Sequence, residues 1–285
     1  MTEIPVTVIV PTIGRASQLE ACLESLADCE PRAEEVLVVD QSGSSQIKDL
    51  TGRFAGAGAR YLFNSGPGKS IGANAGLDHA RHEVVLFTDD DCTVERSWVA
   101  SASGALERDP SMIVTGRVLA PRDAGHVPST IDDATPHEYV GRPNVGALYW
   151  NNMACARSAL QGIGGFDESL TLAAADNDLC WRWLRAGGRI RYEPELVVWH
   201  HDWRTPKELE RLYVRYARGQ GQLYGKHLGR GDLGIARFVL RDFLYVCRAA
   251  LAAVRNRSLH PDPWALGIVR GMPRGLAEGW RSARS

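Results

Sequence analysis

An apolar run over residues 84–88 ends in three consecutive carboxylates, Asp89, Asp90 and Asp91. A Val- and Phe-rich run of this kind suits a buried strand of a parallel sheet, and open α/β sheets bind ligands just past the carboxyl ends of their strands. Three adjacent like charges repel unless something positive joins them. Their hard oxygens suit Mg²⁺ or Mn²⁺, often a cation already holding phosphates. A solvated acidic turn is the competing reading. Asp40 closes a second apolar run, 36–39, where it could accept from a ribose hydroxyl or a base N–H, or simply form the turn before Gln41-Ser42-Gly43. Asp176 falls at the start of a helical pattern that carries Leu179, Trp183 and Leu184 on one face, with Asp178 and Arg182 spaced to pair. A carboxylate there is either a helix cap or a general base. His200 and His201 follow the run 197–199; beside a carboxylate-bound metal one of them becomes a candidate ligand, and otherwise they are a surface turn.

The elements that must position these groups alternate. Residues 6–10 form a β-branched run stopped by Pro11. Ser17-x-x-Glu20 has the capping-box pattern, and Leu19, Cys22, Leu23 and Leu26 give residues 17–28 an apolar helical face. Strands are expected at 36–39, 61–63 and 84–88, with a helix over 71–80 despite Gly72 and Gly76. This alternation predicts an α/β fold with a doubly wound, mostly parallel sheet. Residues 120–147, rich in Pro, Gly, Asp and His, read as a long irregular loop that closes over a bound ligand, with Tyr149-Trp150 directly after it. There is no Gly-x-Gly-x-x-Gly after the first strand and no complete P-loop; Gly68-Lys69-Ser70 lacks the glycine and strand that should precede it.

At 285 residues, 44% hydrophobic and 24% charged, the chain has ordinary globular composition. Its six cysteines show no Cys-x-x-Cys pair, which predicts free thiols and a cytoplasmic setting. The first apolar run begins at residue 6, leaving no room for a signal peptide, and no uncharged run is long enough to span a bilayer. The net charge of −1 conceals a split. Residues 204–285 hold 16 basic and 6 acidic side chains, net +10, while the preceding residues are net −11. Helical patterns at 206–227, 235–254 and 264–280 mix arginines with Trp264, Trp280 and aliphatic residues. They predict a basic helical extension over 206–285, after a catalytic domain over 1–205, that either packs on the protein or a second copy of it, or lies at the inner face of an anionic membrane.

Seven stretches in order resemble the inverting family 2 glycosyltransferases. They are Val8-Ile9-Val10-Pro11-Thr12, Val38-Val39-Asp40-Gln41-Ser42, Phe87-Thr88-Asp89-Asp90-Asp91, Asn152-Met153-Ala154, Gly164-Gly165-Phe166-Asp167-Glu168, Asp176-Asn177-Asp178-Leu179 and Val198-Trp199-His200-His201. The resemblance covers residues 4–205 and implies a GT-A nucleotide-binding fold. It implies transfer of a sugar from a nucleoside-diphosphate sugar, a UDP-sugar first among them, to a hydroxyl of a glycan, lipid-linked intermediate or secondary metabolite. It implies nucleotide-sugar contacts from Pro11, Thr12, Arg15, Asp40, Lys69, Asn74, Asp89, Asp90, Trp150 and Asn152, a Mn²⁺ or Mg²⁺ ion on Asp91 and His200, and Asp176 as catalytic base. No nucleic-acid partner is expected. One departure stands out: many members carry Glu before the base, and here that position is Ala175. A nucleotide-sugar-binding module without catalysis and a sugar nucleotidyltransferase are the alternatives.

Overall fold

The structure, a computed structural model, describes residues 2–122, 127–201, 204–256 and 262–284. Contacts divide the chain into two compact units, Met1–Asp167 with Leu179–Asp202, and Glu168–Asp178 with Trp203–Ser285.

The first unit opens with β1 (Glu3–Thr12), α1 (Ala16–Ala27), β2 (Arg32–Asp40), α2 (Ser45–Arg53), β3 (Ala59–Phe63), α3 (Lys69–His79) and β4 (Val84–Phe87). It continues through β5 (Cys92–Val94), α4 (Trp98–Arg108), β6 (Met112–Leu119), β7 (His137–Tyr139), β8 (Met153–Ala156), α5 (Arg157–Gly162), α6 (Ala175–Arg185), whose first turn belongs to the second unit, and β9 (Arg189–His200). One sheet takes the order β3-β2-β1-β4-β8-β6-β9-β5, with β7 also paired to β9. The expected α/β class holds. β1, β2, β3 and β4 are mutually parallel, so their carboxyl ends share one edge, and Thr12 sits in register with Asp40. β8 then enters antiparallel between β4 and β6.

Packing explains the local sequence. Val6, Val8 and Val10 meet Leu19, Cys22, Leu23 and Leu26 in the buried core, which is the apolar face read from residues 17–28. The capping box is not formed. α1 begins at Ala16 with Arg15 at its cap position and no side-chain cap bond, and the Ser17 hydroxyl turns to Gln18 instead. Gly76 does not weaken α3 idly. A Cβ there would meet Ile9 Cγ2 at 2.5 Å and Val39 Cγ2 at 3.2 Å, so the glycine lets the helix approach β1 and β2.

Residues 127–147 carry more regular structure than their composition suggests. Ile131 bridges to Val118, and β7 pairs antiparallel with β9, His137 stacking on Tyr192 at 4.7 Å. Sheet pairing, which needs only backbone, overrides the irregular composition. The expected closure over ligand rests in part on residues 123–126, which lie outside the described residues.

The second unit holds α7 (Pro206–Gly229), α8 (Ala236–Arg255) and α9 (Pro263–Ser282). Thr205 and Glu208 form a reciprocal capping box at the start of α7, and the Asp262 side chain caps α9. α7 and α9 run parallel and in step. A Cβ at Gly267 would meet Tyr213, at Gly271 Val214, at Gly275 Arg218 and at Gly279 Gln222. A glycine at every fourth position thus gives α9 a bare stripe on which the α7 backbone lies. Arg218 clamps Glu278 through Nε at 2.9 Å and a second guanidinium nitrogen at 2.5 Å, while Gln222 Nε2 donates to the same carboxylate at 3.0 Å. Hydrogen bonds from Arg218, Arg274 and Gln222 hold the Glu278 carboxyl down at about 2. Among the described residues, no helix is long and apolar enough to cross a membrane.

Gly275→Ala would push a methyl onto the Arg218 carbonyl oxygen. The expected loss is about 1–3 kcal/mol of stability, as in other overpacked sites, read as a lower midpoint in urea unfolding. An unchanged midpoint would mean the two helices are not held at this spacing.

Candidate active site

At the end of β4 the chain turns through Thr88-Asp89-Asp90-Asp91, and two cations, Arg15 and Lys69, meet the three carboxylates. Asp90 is fully buried. Thr12 Oγ1 donates to its Oδ2 at 2.6 Å, Arg15 Nε donates to the same oxygen at 3.2 Å, and a second Arg15 nitrogen bonds Oδ1. The remaining Arg15 nitrogen reaches Asp91 Oδ2 at 2.6 Å. One guanidinium therefore bridges two acids from the β1–α1 connection. Burial, only partly offset by Arg15, pushes the Asp90 carboxyl up to about 6. Asp89 behaves in the opposite sense. Burial raises it, but Lys69, whose Nζ lies 2.5 Å from Oδ1, draws it below the ordinary value.

Lys69 opens α3 and also stands over the Trp150 ring, 4.7 Å from its centroid. Trp150 packs against Phe87 at 5.2 Å and Phe166 at 4.2 Å. Among the described residues its buried Nε1 has no hydrogen-bond partner. The Gly164-Gly165-Phe166 segment is pinned by Asn74, whose Nδ2 donates to the Phe166 carbonyl and whose Oδ1 accepts the Phe166 N–H, both at 2.9 Å.

His200 sits at the end of β9, where Cys92 of β5 is its registered neighbour. Its Nδ1 lies 3.1 Å from the Pro128 carbonyl, a geometry that makes Nδ1–H the donor and leaves the Nε2 lone pair free. Nε2 is 3.7 Å from Asp91 Oδ1. Ligand atoms of Asp91, Cys92 and His200 all lie within 4.8 Å of one another. Strand alternation turns His201 the other way, and its Nε2 bonds Thr93 Oγ1 at 2.8 Å. A carboxylate oxygen and an imidazole nitrogen at this spacing fit a divalent cation. Burial pushes the Cys92 thiol well up, and a sulfur donor is a poor match for a hard ion.

The other predicted residues are placed differently. Pro11 is buried beside Thr12 in β1. Asp40 is fully buried, its Oδ1 taking the Ser42 N–H at 2.8 Å and the Ser42 hydroxyl at 2.6 Å, its Oδ2 the Tyr61 hydroxyl at 3.0 Å. This is the turn alternative read from Gln41-Ser42-Gly43. Asn152, also fully buried, joins three distant elements: Trp98 Nε1 donates to its Oδ1 at 2.9 Å, and its Nδ2 donates to the Arg117 and Leu196 carbonyls, both at 2.8 Å. Asp176 lies in the second unit, in the first turn of α6 rather than at its cap, and accepts the Asn177 N–H at 2.9 Å. Sequence reasoning missed the neighbouring pair: Asn177 Nδ2 donates to the Oε1 of the buried Gln220 at 2.7 Å. It also missed the bond at 2.9 Å between Asp178 and His227. Both join residues over forty positions apart, beyond any local spacing.

The model of glycosyl transferase family 2 matches residues 7–158, more than half of the chain. The chain belongs to glycosyltransferase family 2. The pre-mycofactocin glycosyltransferase of Mycobacterium tuberculosis is 31% identical over 216 residues, 70% of this chain but 43% of that protein. The probable glycosyltransferase YdaM of Bacillus subtilis is 24% identical over 251 residues, 81% of this chain and 59% of that protein. The chain thus spans about two-fifths to three-fifths of these relatives' lengths. Among solved structures, the mannosyltransferase PcManGT from Pyrobaculum calidifontis, in complex with GDP-Man and Mn²⁺, aligns over 98% of this chain and 86% of its own with a TM-score of 0.64 at 19% identity. TarS of S. aureus in complex with UDP-GlcNAc aligns over 80% and 72%, with a TM-score of 0.57 at 17% identity. These likenesses establish the GT-A fold, and family membership sets aside the sugar nucleotidyltransferase alternative.

Arg15→Gln removes the cation that Asp90 and Asp91 share. Without added metal its thermal midpoint should fall by several degrees, about 2 kcal/mol or more for an uncompensated buried acid. Added Mn²⁺ should then raise the midpoint more than in the parent protein. Equal Mn²⁺ responses, measured by calorimetry, would show that Arg15 does not share a carboxylate with the ion.

Proposed function

We propose that the chain transfers a sugar from a nucleoside-diphosphate sugar to an acceptor hydroxyl with inversion at the anomeric carbon, assisted by Mn²⁺ or Mg²⁺. The observation that carries this reading is the Asp91–His200 pair, with His200 oriented by Pro128, beside the Arg15 and Lys69 cations at the end of β4. The cation would neutralise charge building on the leaving diphosphate as a Lewis acid.

The chain's own groups divide the remaining work. Lys69 and Arg15, both partly exposed, present positive charge to the phosphates. Asp89, the partly exposed acid of the three, faces the ribose. Trp150 walls the sugar site. Pro11 and Thr12 line the nucleoside end through β1. Asp40, Asp90 and Asn152 lack exposed surface, and we reassign them from direct contacts to positioning: Asp40 shapes the turn after β2, Asp90 aims Arg15, and Asn152 ties β8 to α4, β6 and β9. Asn74 serves in the same way by pinning the Phe166 segment. Asp176 accepts the proton of the acceptor hydroxyl as its oxygen attacks the anomeric carbon and the bond to the diphosphate breaks. Attack from the face opposite the leaving group inverts the configuration in one displacement.

A UDP-sugar is the first donor to test, followed by a GDP-sugar; TarS and PcManGT are solved with such donors. The acceptor is a hydroxyl of a glycan, a lipid-linked intermediate or a secondary metabolite. Free thiols at all six cysteines support a cytoplasmic setting.

A donor panel with metal, scored by release of nucleoside diphosphate, should identify one donor hydrolysed slowly without acceptor. With that donor, Asp91→Ala should abolish turnover and weaken nucleoside-diphosphate binding; full activity in excess chelator would overturn the metal assignment. Asp176→Asn should lower turnover by about a hundredfold or more while leaving donor affinity near the parent value. Retention of rate per folded molecule would make Asp176 a structural residue only.

A further inference from the structure

α8 turns its apolar face outward. Of its 20 residues only Phe238 and Asp242 are buried. Leu240, Phe243, Leu244, Leu251 and Val254 are between 42% and 78% exposed. At the helical advance per residue these five positions, with Cys247, fall within a stripe about 100° wide that runs the length of the helix. Arg237, Arg241, Arg248 and Arg255 fall together along one border of that stripe. The one acid of α8, Asp242, lies on the opposite, buried side, where it accepts from the Tyr224 hydroxyl at 2.8 Å and pairs with Arg241 at 2.9 Å. Arg237 and Arg241 also lie over the Phe238 ring, at 4.8 Å and 5.0 Å.

The glycine stripe of α9 is already taken up by α7, so those two helices satisfy each other. An apolar stripe of this length left open on a monomer marks an interaction surface. The charges select the partner. A second copy of α8 would bring four more arginines and no exposed acid on the same helix. An anionic bilayer offers an apolar layer for the leucines and valine and phosphates at the level where guanidinium groups emerge from their aliphatic stems.

We infer that α8 lies flat on an anionic membrane surface, its Leu240–Val254 stripe in the acyl boundary and its arginine row at the lipid phosphates. The basic extension expected over three helices thereby narrows to one. The inference rests on α8 alone and is independent of the proposed transfer chemistry, so vesicle binding and turnover are separate readouts.

The test is co-sedimentation of the full chain with vesicles of phosphatidylcholine alone or mixed with phosphatidylglycerol. The chain should pellet with the mixed vesicles at low salt, not with phosphatidylcholine alone, and should be released by salt. Phe243→Glu with Leu251→Glu should lower partitioning on the order of tenfold or more. Both positions are exposed, and an unchanged unfolding midpoint confirms that the fold is kept. Arg248→Ala with Arg255→Ala should weaken binding by roughly fivefold per arginine and flatten the salt dependence. No pelleting at low salt, or pelleting unaffected by the double glutamate variant, overturns the inference. So does a dimer in sedimentation velocity that the glutamates dissociate while vesicle binding is absent.

Discussion

Three carboxylates at the end of one buried strand repel one another, and the first unit is arranged around the positive charge that offsets this. Asp90 has no access to solvent, so its charge is tolerable only beside Arg15. Arg15 reaches it because β1 and β4 are parallel neighbours and the β1–α1 turn lies at their shared edge. Lys69 meets Asp89 because α3 starts at that edge as well. Each cation begins a helix that follows a strand, so the doubly wound topology is what delivers both to the same place. His200 arrives from the far side of the sheet through β9, whose pairing with β5 puts it next to Cys92 and across from Asp91.

The second unit rests on a different constraint. Its parallel helix pair is close because α9 shows glycine to α7 at every fourth residue, and the Arg218–Glu278 clamp fixes the register along that seam. A seam made of backbone leaves α8 with little to cover it, and its apolar residues stay outside. The same unit carries Asp176 and the Asn177–Gln220 pair. Ala175 precedes Asp176, the proposed base, where the family resemblance implies a Glu.

The strand ends were legible in the sequence because a buried parallel strand is a short apolar run and its end is marked by an abrupt change to acids. The face of α1 and the start of α7 at Pro206 were legible for the same local reason. The cap of α1 was misread because the turn after β1 hands the cap position to Arg15, whose side chain is drawn away to Asp90 and Asp91. β7 was hidden because strand pairing with β9 draws on backbone groups that composition does not reveal. The bonds of Asn152 were not legible because motif position says nothing of where an amide points; its partners at 98, 117 and 196 come together only through the sheet. The glycine stripe at 267, 271, 275 and 279 is visible as a spacing, but the Trp and Leu residues on the same helix offer a second apolar face, and spacing alone does not say which one packs.

The central claim is that the β4 carboxylate cluster, with His200, holds a divalent cation together with a nucleoside diphosphate. Electron paramagnetic resonance of Mn²⁺ titrated with the protein tests it without an acceptor or a known donor sugar. The account predicts that the free Mn²⁺ signal falls to an end point of one ion per chain, more tightly with UDP or GDP present, and that His200→Ala loses this end point while the fold is retained. A free-ion signal unaffected by the protein, with UDP and GDP binding equally well in chelator, would contradict it.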